Sequence, residues 1–240
     1  MSFKQKIMKF RLKYLPGRIK PEEYNNYLRS YGISVGKGTI FYAPNTIFID
    51  TQRSFMLKIG DYCKITKGTS IFCHDYSRSV LRRAYGEIVA EAAMTVIGNN
   101  VFIGANSIIL MGATIGNNVI VGAGSVVAGR IPDNVVVAGN PAKIVRTLDE
   151  HYKKRKKEYV AEAKEFARAF YLAEHRKPTI HDMGAFFPLY LKRNEQAIIE
   201  NGLNINLNGD ESSEILRDFI KSEPYYPSFE AFLQEVEFDD

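Results

Sequence analysis

The chain has 240 residues, of which 45% are hydrophobic and 25% charged, a balance that excludes a disordered or collagen-like chain. Because it has no stretch of about 18 apolar residues and no apolar leader segment, we expect neither a membrane span nor export, and we predict a cytoplasmic protein. Its net charge of +5 is uneven, since residues 1–148 hold 19 Lys and Arg against 8 Asp and Glu, and residues 149–240 hold 13 against 19.

The first predicted element is a basic segment, residues 1–30. Seven Lys and Arg side chains precede Glu22, its first acid, and apolar side chains lie between them: Phe3, Ile7, Phe10 and Leu12. We expect a helix that caps the domain that follows. The alternative is an interfacial helix, which predicts weak peripheral membrane association through residues 1–20.

The second element, residues 31–148, has an apolar residue at every sixth position. The clearest run is Ile97, Ile103, Ile109, Ile115, Val121 and Val127. Residues 96–113 are identical to residues 114–131 at eight of eighteen positions, so three repeats form one coil. We expect a parallel β-helix of triangular coils with these residues inside. Earlier coils are indicated by Val35, Phe41 and Ile47, and by Ile59, Ile65 and Ile71.

Polar residues follow the same repeat. Asparagine tolerates the positive φ angles that tight corners need, which suggests corners at the Asn pairs 99–100 and 117–118. Cys63 and Cys73 also lie in the coils. Two cysteines cannot form a disulfide framework and lack zinc-site spacing, so we expect two free, buried thiols.

The repeat is interrupted by an insertion, residues 75–95, and His74 stands directly before it. Histidine titrates near neutrality, which makes His74 a candidate general base. The alternative is a histidine that only caps a turn with Asp75. The other three histidines lie in the charged tail: His151, His175 and His181. Arginines and Tyr85 in the insertion suggest a loop that shapes an acceptor pocket.

The last element, residues 149–240, has helical spacing of apolar residues up to Pro178 and short helices beyond it. We expect this helical extension to pack its Phe and Tyr rings on the coils or on a neighbouring subunit. The basic run at residues 153–157 is typical of a solvated helix face, and we expect no nucleic-acid partner.

These motifs resemble the hexapeptide-repeat acyltransferases, which include bacterial sugar, serine and xenobiotic O-acetyltransferases. The resemblance covers residues 33–148 and rests on IGNNVFIGANSIILMGATIGNNVIVGAGSVV, on IPDNVVVAGNPAKIVR, and on HDYS and SVL at the insertion. It implies a left-handed parallel β-helix. With the helices expected at both ends, we predict a mainly β fold with an N-terminal helical cap and a C-terminal helical extension. It also implies a homotrimer with active sites between subunits, acetyl-CoA as co-substrate and no metal.

The resemblance assigns residues to the site. Ala105, Ala123, Ala128 and Gly129 would line the pantetheine channel, and Lys143 and Arg146 would lie near the nucleotide phosphates. Many relatives carry Thr-Lys where this chain has Ala128-Gly129, and Arg130 could supply the missing cation. Relatives also place their catalytic base in the inserted loop, as His74 is placed here.

Acyl transfer to an alcohol needs such a base, and the second ring nitrogen of that base needs a hydrogen-bond acceptor. Asp75, Glu87, Glu91 or a backbone carbonyl could fill this role, and we assign Asp75 to the catalytic site together with His74. A backbone N–H around Gly112 could stabilise the oxyanion.

The sequence thus predicts transfer of an acetyl group from acetyl-CoA to a hydroxyl of a sugar or polysaccharide intermediate. One alternative is an N-acetyltransferase that acts on a nucleotide-linked amino sugar. Another is a non-catalytic trimeric β-helix scaffold. The acceptor itself stays open.

Overall fold

Two helices precede the coils, in a computed structural model that describes residues 2–205 and 209–238. Helix α1 (Phe3–Tyr14) begins at Ser2, whose hydroxyl accepts a hydrogen bond from the Gln5 N–H at 3.3 Å. Helix α2 (Pro21–Arg29) begins at a proline, which suits the first helical turn. Tyr24 and Leu28 of α2 lie in the same buried cluster as the first coil.

Short strands follow in regular succession. They are β1 (Ser34–Val35), β2 (Ile40–Phe41), β3 (Phe48–Ile49), β4 (Leu57–Ile59), β5 (Lys64–Ile65), β6 (Ser70–Ile71), β7 (Thr95–Ile97), β8 (Val101–Ile103), β9 (Ile108–Ile109), β10 (Thr114–Ile115), β11 (Val119–Val121), β12 (Val126–Val127), β13 (Arg130–Ile131), β14 (Val135–Ala138) and β15 (Lys143–Thr147). Each strand from β1 to β11 pairs in parallel with the strand three places further along the chain. With β15 added to one of them, the sheets have five, six and four strands. Only β15 joins its neighbour β14 antiparallel within this part of the chain.

The strand register confirms the predicted coil length. Val96 pairs with Thr114 and Phe102 with Ile120, which is the shift of eighteen residues seen in the sequence. The six apolar residues of the clearest run are all buried, as are Ser107, Ala113 and Ser125 beside them. Three sheets of parallel strands around one core make a β-helix.

The first coil departs from the predicted phase. A 3₁₀ turn at Pro44–Thr46 adds two residues before β3, so Ile49 pairs with Ile71 where the sequence analysis placed Ile47. Both Ile47 and Ile49 are buried. The prediction for Ile47 was therefore right about burial and wrong about the repeat position.

The predicted Asn corners divide into two kinds. Asn100 and Asn118 have positive φ angles of 53° and 55°. Asn99 instead donates its backbone N–H to the Asn117 side chain at 2.8 Å, and Asn117 repeats this bond to Asp133. At successive corners, these side chains thus accept hydrogen bonds from backbone N–H groups of the neighbouring coil.

The insertion carries a helix, α3 (Arg78–Tyr85), and its apolar side chains are exposed. Ile88 and Tyr85 are each 77% exposed, so neither packs on the coils of its own chain.

The chain divides into two compact units, residues 1–151 and residues 152–240. Helix α4 (Leu148–Glu174) begins before the second unit and continues into it, and a 3₁₀ helix (Gly184–Leu189), α5 (Glu195–Glu200), α6 (Ser212–Lys221) and α7 (Phe229–Gln234) follow. Their buried rings share one cluster with Ala163 and Ala167 of α4. The unit thus has a hydrophobic core of its own, which the sequence analysis did not predict.

The expectation of a mainly β fold was wrong, because the structure is 40% helical. Helix α4 alone has 27 residues, whereas the longest strand, β15, has five. In the described ranges, no helix is both long enough and apolar enough to cross a membrane.

Candidate active site

The site is built at the corner that follows the four-stranded sheet. Strands β3 and β6 lie side by side in parallel, and the Asp50 N–H donates to the Ile71 carbonyl at 3.0 Å. Asp50 is the first residue after β3, and Cys73 and His74 follow β6 closely. Stacking of one coil on the next therefore brings Asp50 against His74, although they lie far apart in sequence.

His74 is held by one ring nitrogen. Its Nδ1 forms a short hydrogen bond with Asp50 Oδ2, and only 8% of the residue is exposed. Its Nε2 is buried and has no hydrogen-bond partner among the residues described. A carboxylate can only accept, so this contact places the hydrogen of a neutral imidazole on Nδ1 and leaves Nε2 with a free lone pair.

The Asp50 carboxylate is itself fixed by several donors. Oδ1 accepts from the Gln52 N–H at 3.0 Å, and Oδ2 accepts from the Cys73 N–H at 3.2 Å and from Cys73 Sγ at 3.0 Å. Burial alone would raise the pKa of Asp50, but these bonds and the one from His74 lower it below its ordinary value. Asp50 is therefore ionised at neutral pH, and its negative charge can balance a positive charge on the imidazole.

Cys73 acts here as a hydrogen-bond donor. Burial and the adjacent Asp50 carboxylate raise the pKa of its thiol to about 12. A thiolate is the reactive form of cysteine, so this thiol is a poor nucleophile at neutral pH. Cys63 is free and buried as well, which confirms the prediction of two such thiols.

The same three side chains are the one group in the described part of the chain whose ligand atoms lie close enough to hold a metal ion. The ligand atoms of Asp50, Cys73 and His74 are all within 4.8 Å of one another. Here the thiol and imidazole both bond to one carboxylate oxygen. The expectation that no metal is needed stays a prediction.

A cavity of about 280 Å³ lies beside the histidine. It is lined by Phe48, Ile49, Asp50, Thr51, Gln52, Phe72, His74, Asp75 and Tyr76. The Tyr76 ring meets the His74 ring edge-on at 5.2 Å, and its hydroxyl bonds to the Gln52 side chain. Aromatic faces with a few polar groups are typical of small-ligand sites.

The structure corrects the expected orienting partner of His74. The Asp75 side chain is exposed and accepts from the Ser77 N–H at 2.8 Å, whereas Asp50 bonds to the ring. Glu91 bonds to the Ser77 hydroxyl, and Glu87 is exposed. Sequence analysis missed Asp50, and the displaced phase of the first coil explains why.

Three predicted donor-site residues share the corner of His74. Gly112 follows β9, and Ala128 and Gly129 follow β12, so they lie in the coils stacked beyond β6. Gly112 differs from expectation, because its N–H already donates to the Thr95 hydroxyl at 3.2 Å. That amide is engaged rather than free for an oxyanion.

The remaining predicted residues lie elsewhere on the coils. Ala105 and Ala123 stack at the corner that follows the six-stranded sheet, where Gly124 N–H donates to the Ala105 carbonyl at 2.8 Å. Arg130 is in β13, and the other two cations are in β15: Lys143 and Arg146. The structure thus does not bring all of these residues together within one chain.

The chain is similar to several known proteins. Residues 94–129 match the family model described as "Bacterial transferase hexapeptide (six repeats)". Protein CapG of Staphylococcus aureus is 43% identical over 124 residues, which are 52% of this chain and 71% of CapG. Galactoside O-acetyltransferase of Escherichia coli K12 is 36% identical over 127 residues, 51% of this chain and 60% of that enzyme.

Among solved structures, a maltose O-acetyltransferase from Clostridium difficile 630 is 27% identical with a TM-score of 0.43, covering 60% of this chain and 86% of that one. The match to CapG is above 30% identity and spans more than two thirds of that protein. Together with the repeat match, it shows that the chain belongs to the hexapeptide-repeat acetyltransferases.

Proposed function

We propose that this enzyme transfers an acetyl group from acetyl-CoA to a hydroxyl of a sugar or polysaccharide intermediate, with His74 as general base. The observation that carries the proposal is the buried Asp50–His74 pair, in which Nε2 has no hydrogen-bond partner among the described residues and His74 lines a cavity. The sugar O-acetyltransferase among its relatives supports the acceptor class.

In the proposed reaction, Nε2 takes the proton of the acceptor hydroxyl as its oxygen attacks the thioester carbon. The tetrahedral intermediate then collapses, the C–S bond breaks and coenzyme A leaves as its thiol after receiving the proton. The imidazolium that forms in between is balanced by ionised Asp50. The buried carboxylate also keeps the ring in one orientation, which a freely rotating surface histidine would lack.

We further propose that the coils are left-handed and that the enzyme is a homotrimer with acetyl-CoA in grooves between subunits. The trimer is supported by the division of the predicted donor residues between two corners: Gly112, Ala128 and Gly129 at one, and Ala105 and Ala123 at another. A groove between neighbours can be lined by one corner from each chain. The exposed loop with Tyr85 and Ile88 would then cover the adjoining subunit.

We assign α1 and α2 as a cap on the first coil, supported by Tyr24 and Leu28 in its core. Lys143, Arg146 and Arg130 are assigned to the phosphates of the donor. The enzyme would work in the cytoplasm, where its free thiols stay reduced.

The test is release of coenzyme A thiol from acetyl-CoA across a panel of sugars and polysaccharide fragments, with native enzyme and His74→Ala. We expect acceptor-dependent release that falls at least about 100-fold in the variant. Equal rates would remove His74 from the mechanism. A product stable to mild alkali would be an amide and would favour the amino-sugar alternative, and failure to bind acetyl-CoA would favour the scaffold.

A further inference from the structure

Helix α1 has two different faces. Phe3, Ile7, Phe10 and Tyr14 are spaced four, three and four residues apart, so they form one stripe along the helix. Their exposed fractions are 77%, 45%, 59% and 57%. A continuous aromatic and aliphatic stripe of this kind is uncommon on a protein surface that faces only water.

The opposite face of the helix points into the protein. Gln5 and Met8 are buried, and Leu12 packs against the core of the first coil. The Gln5 side chain also donates to the Ser30 carbonyl at 3.2 Å. Because this face is anchored, the stripe on the other face is turned outward. Residues 1–20 can therefore cap the first coil and bind a membrane at the same time.

Cations flank the stripe on both sides. By helical spacing, Lys6 and Lys13 lie along one edge, and Lys4 and Arg11 lie along the other. Arg11 is paired with Glu23 at 3.1 Å. Lys4, Lys6, Lys9 and Lys13 are exposed and have no carboxylate partner within the described ranges.

We propose that α1 docks the enzyme on an anionic lipid surface, with the aromatic stripe in the acyl–headgroup boundary and the lysines at the headgroups. Apolar side chains bordered by lysines are the arrangement that an interfacial helix needs. A second copy of α1 is a poorer partner, because face-to-face contact would bring two sets of lysines together. An anionic bilayer complements both the apolar stripe and the positive charge of the lysines beside it.

The edge of the docked face that carries Lys13 lies near the candidate active site. Lys9 and Lys13 line a cavity of about 440 Å³, and three other residues of its wall, Phe48, Ile49 and Thr51, also line the cavity beside His74. Docking would therefore bring this part of the enzyme close to the lipid surface, near any acceptor that is held there. This consequence rests on the proposed acetyl transfer, whereas docking itself does not.

The test is co-sedimentation of the full chain with vesicles of phosphatidylcholine alone or mixed with phosphatidylglycerol. We expect binding to the mixed vesicles that weakens as salt rises, and little binding to phosphatidylcholine. The variant Ile7→Ser/Phe10→Ser should bind at least about tenfold more weakly. Changing Lys4, Lys6 and Lys13 to Gln should weaken binding by about fivefold for each lysine.

Two controls keep the outcomes distinct. Leu172→Ser removes an apolar side chain whose exposed fraction, 60%, is similar to the 59% of Phe10, and this change should leave vesicle binding unchanged. His74→Ala should abolish transfer and bind vesicles like the native enzyme, so failure of the catalytic proposal and failure of docking can be told apart. Equal binding of native enzyme and the Ile7/Phe10 variant would overturn the proposal. So would a changed oligomer mass in that variant with unchanged vesicle binding, because the stripe would then be a subunit contact.

Discussion

The later coils and the corner around His74 are built from the same repeat but differ in how they use it. From Thr95 to Val127 the coils follow the eighteen-residue register, and Ile103 and its equivalents fill the interior. Around Asp50 and His74 the register is interrupted by a 3₁₀ turn on one side and by the inserted loop on the other. The regular coils stabilise the fold, whereas the two interruptions bring polar side chains together at positions that the repeat does not specify.

The largest effect on stability is expected in the regular coils. Ile103→Ala removes a fully buried side chain from a close-packed interior, which should lower the free energy of unfolding by about 2–5 kcal/mol. Urea unfolding measures this change. Phe102→Ala, in the same strand but with an exposed ring, is the matched control and should cost much less; similar losses for both would contradict the assigned inward face.

A smaller effect is expected from Cys73→Ala, and it should depend on pH. Because the folded state raises the pKa of this thiol from 9.0 to about 12, the neutral thiol stabilises the fold fully below pH 9, and this contribution is lost as pH rises towards 12. Unfolding free energies between pH 8 and 11 should therefore fall more steeply in the native chain than in the variant. Parallel curves would show that the thiol is not held by Asp50.

The smallest effect is expected at the other carboxylate near the histidine. Asp75→Asn changes an exposed side chain that bonds to a backbone amide of its own loop. Thioester turnover should change by less than about threefold, in line with other exposed positions. A loss as large as that of His74→Ala would return Asp75 to the orienting role that the sequence suggested.

The same difference between regular and interrupted coils decides which parts of the molecule could be predicted from the sequence. The inward residues from Ile97 to Val127 could be assigned because identical coils must repeat the same contacts. Asp50 could not, since its approach to His74 depends on the length of one irregular coil, and the turn at Pro44–Thr46 shifts the apparent phase by two residues. A signal was present: Ile49, followed by Asp50, aligns with Ile71 once that turn is allowed for.

The C-terminal unit shows a second limit. Helical spacing predicted α4, but its aromatic residues carry no mark that tells packing within the unit from packing on the coils. Only the three-dimensional arrangement shows that Phe187, Phe219 and Phe232 share one core with Ala163 and Ala167. Periodicity identifies which face of an element is apolar and does not identify what covers that face.

The most direct test of the central claim is the acetyl-transfer rate of Asp50→Asn. An amide in place of the carboxylate keeps the size of the side chain but can no longer hold Nδ1–H as an ionised acceptor or balance the imidazolium. We predict that kcat/KM falls at least about 100-fold while the protein stays folded. A rate within about threefold of native in a folded variant would contradict the claim that the Asp50–His74 pair is the catalytic base.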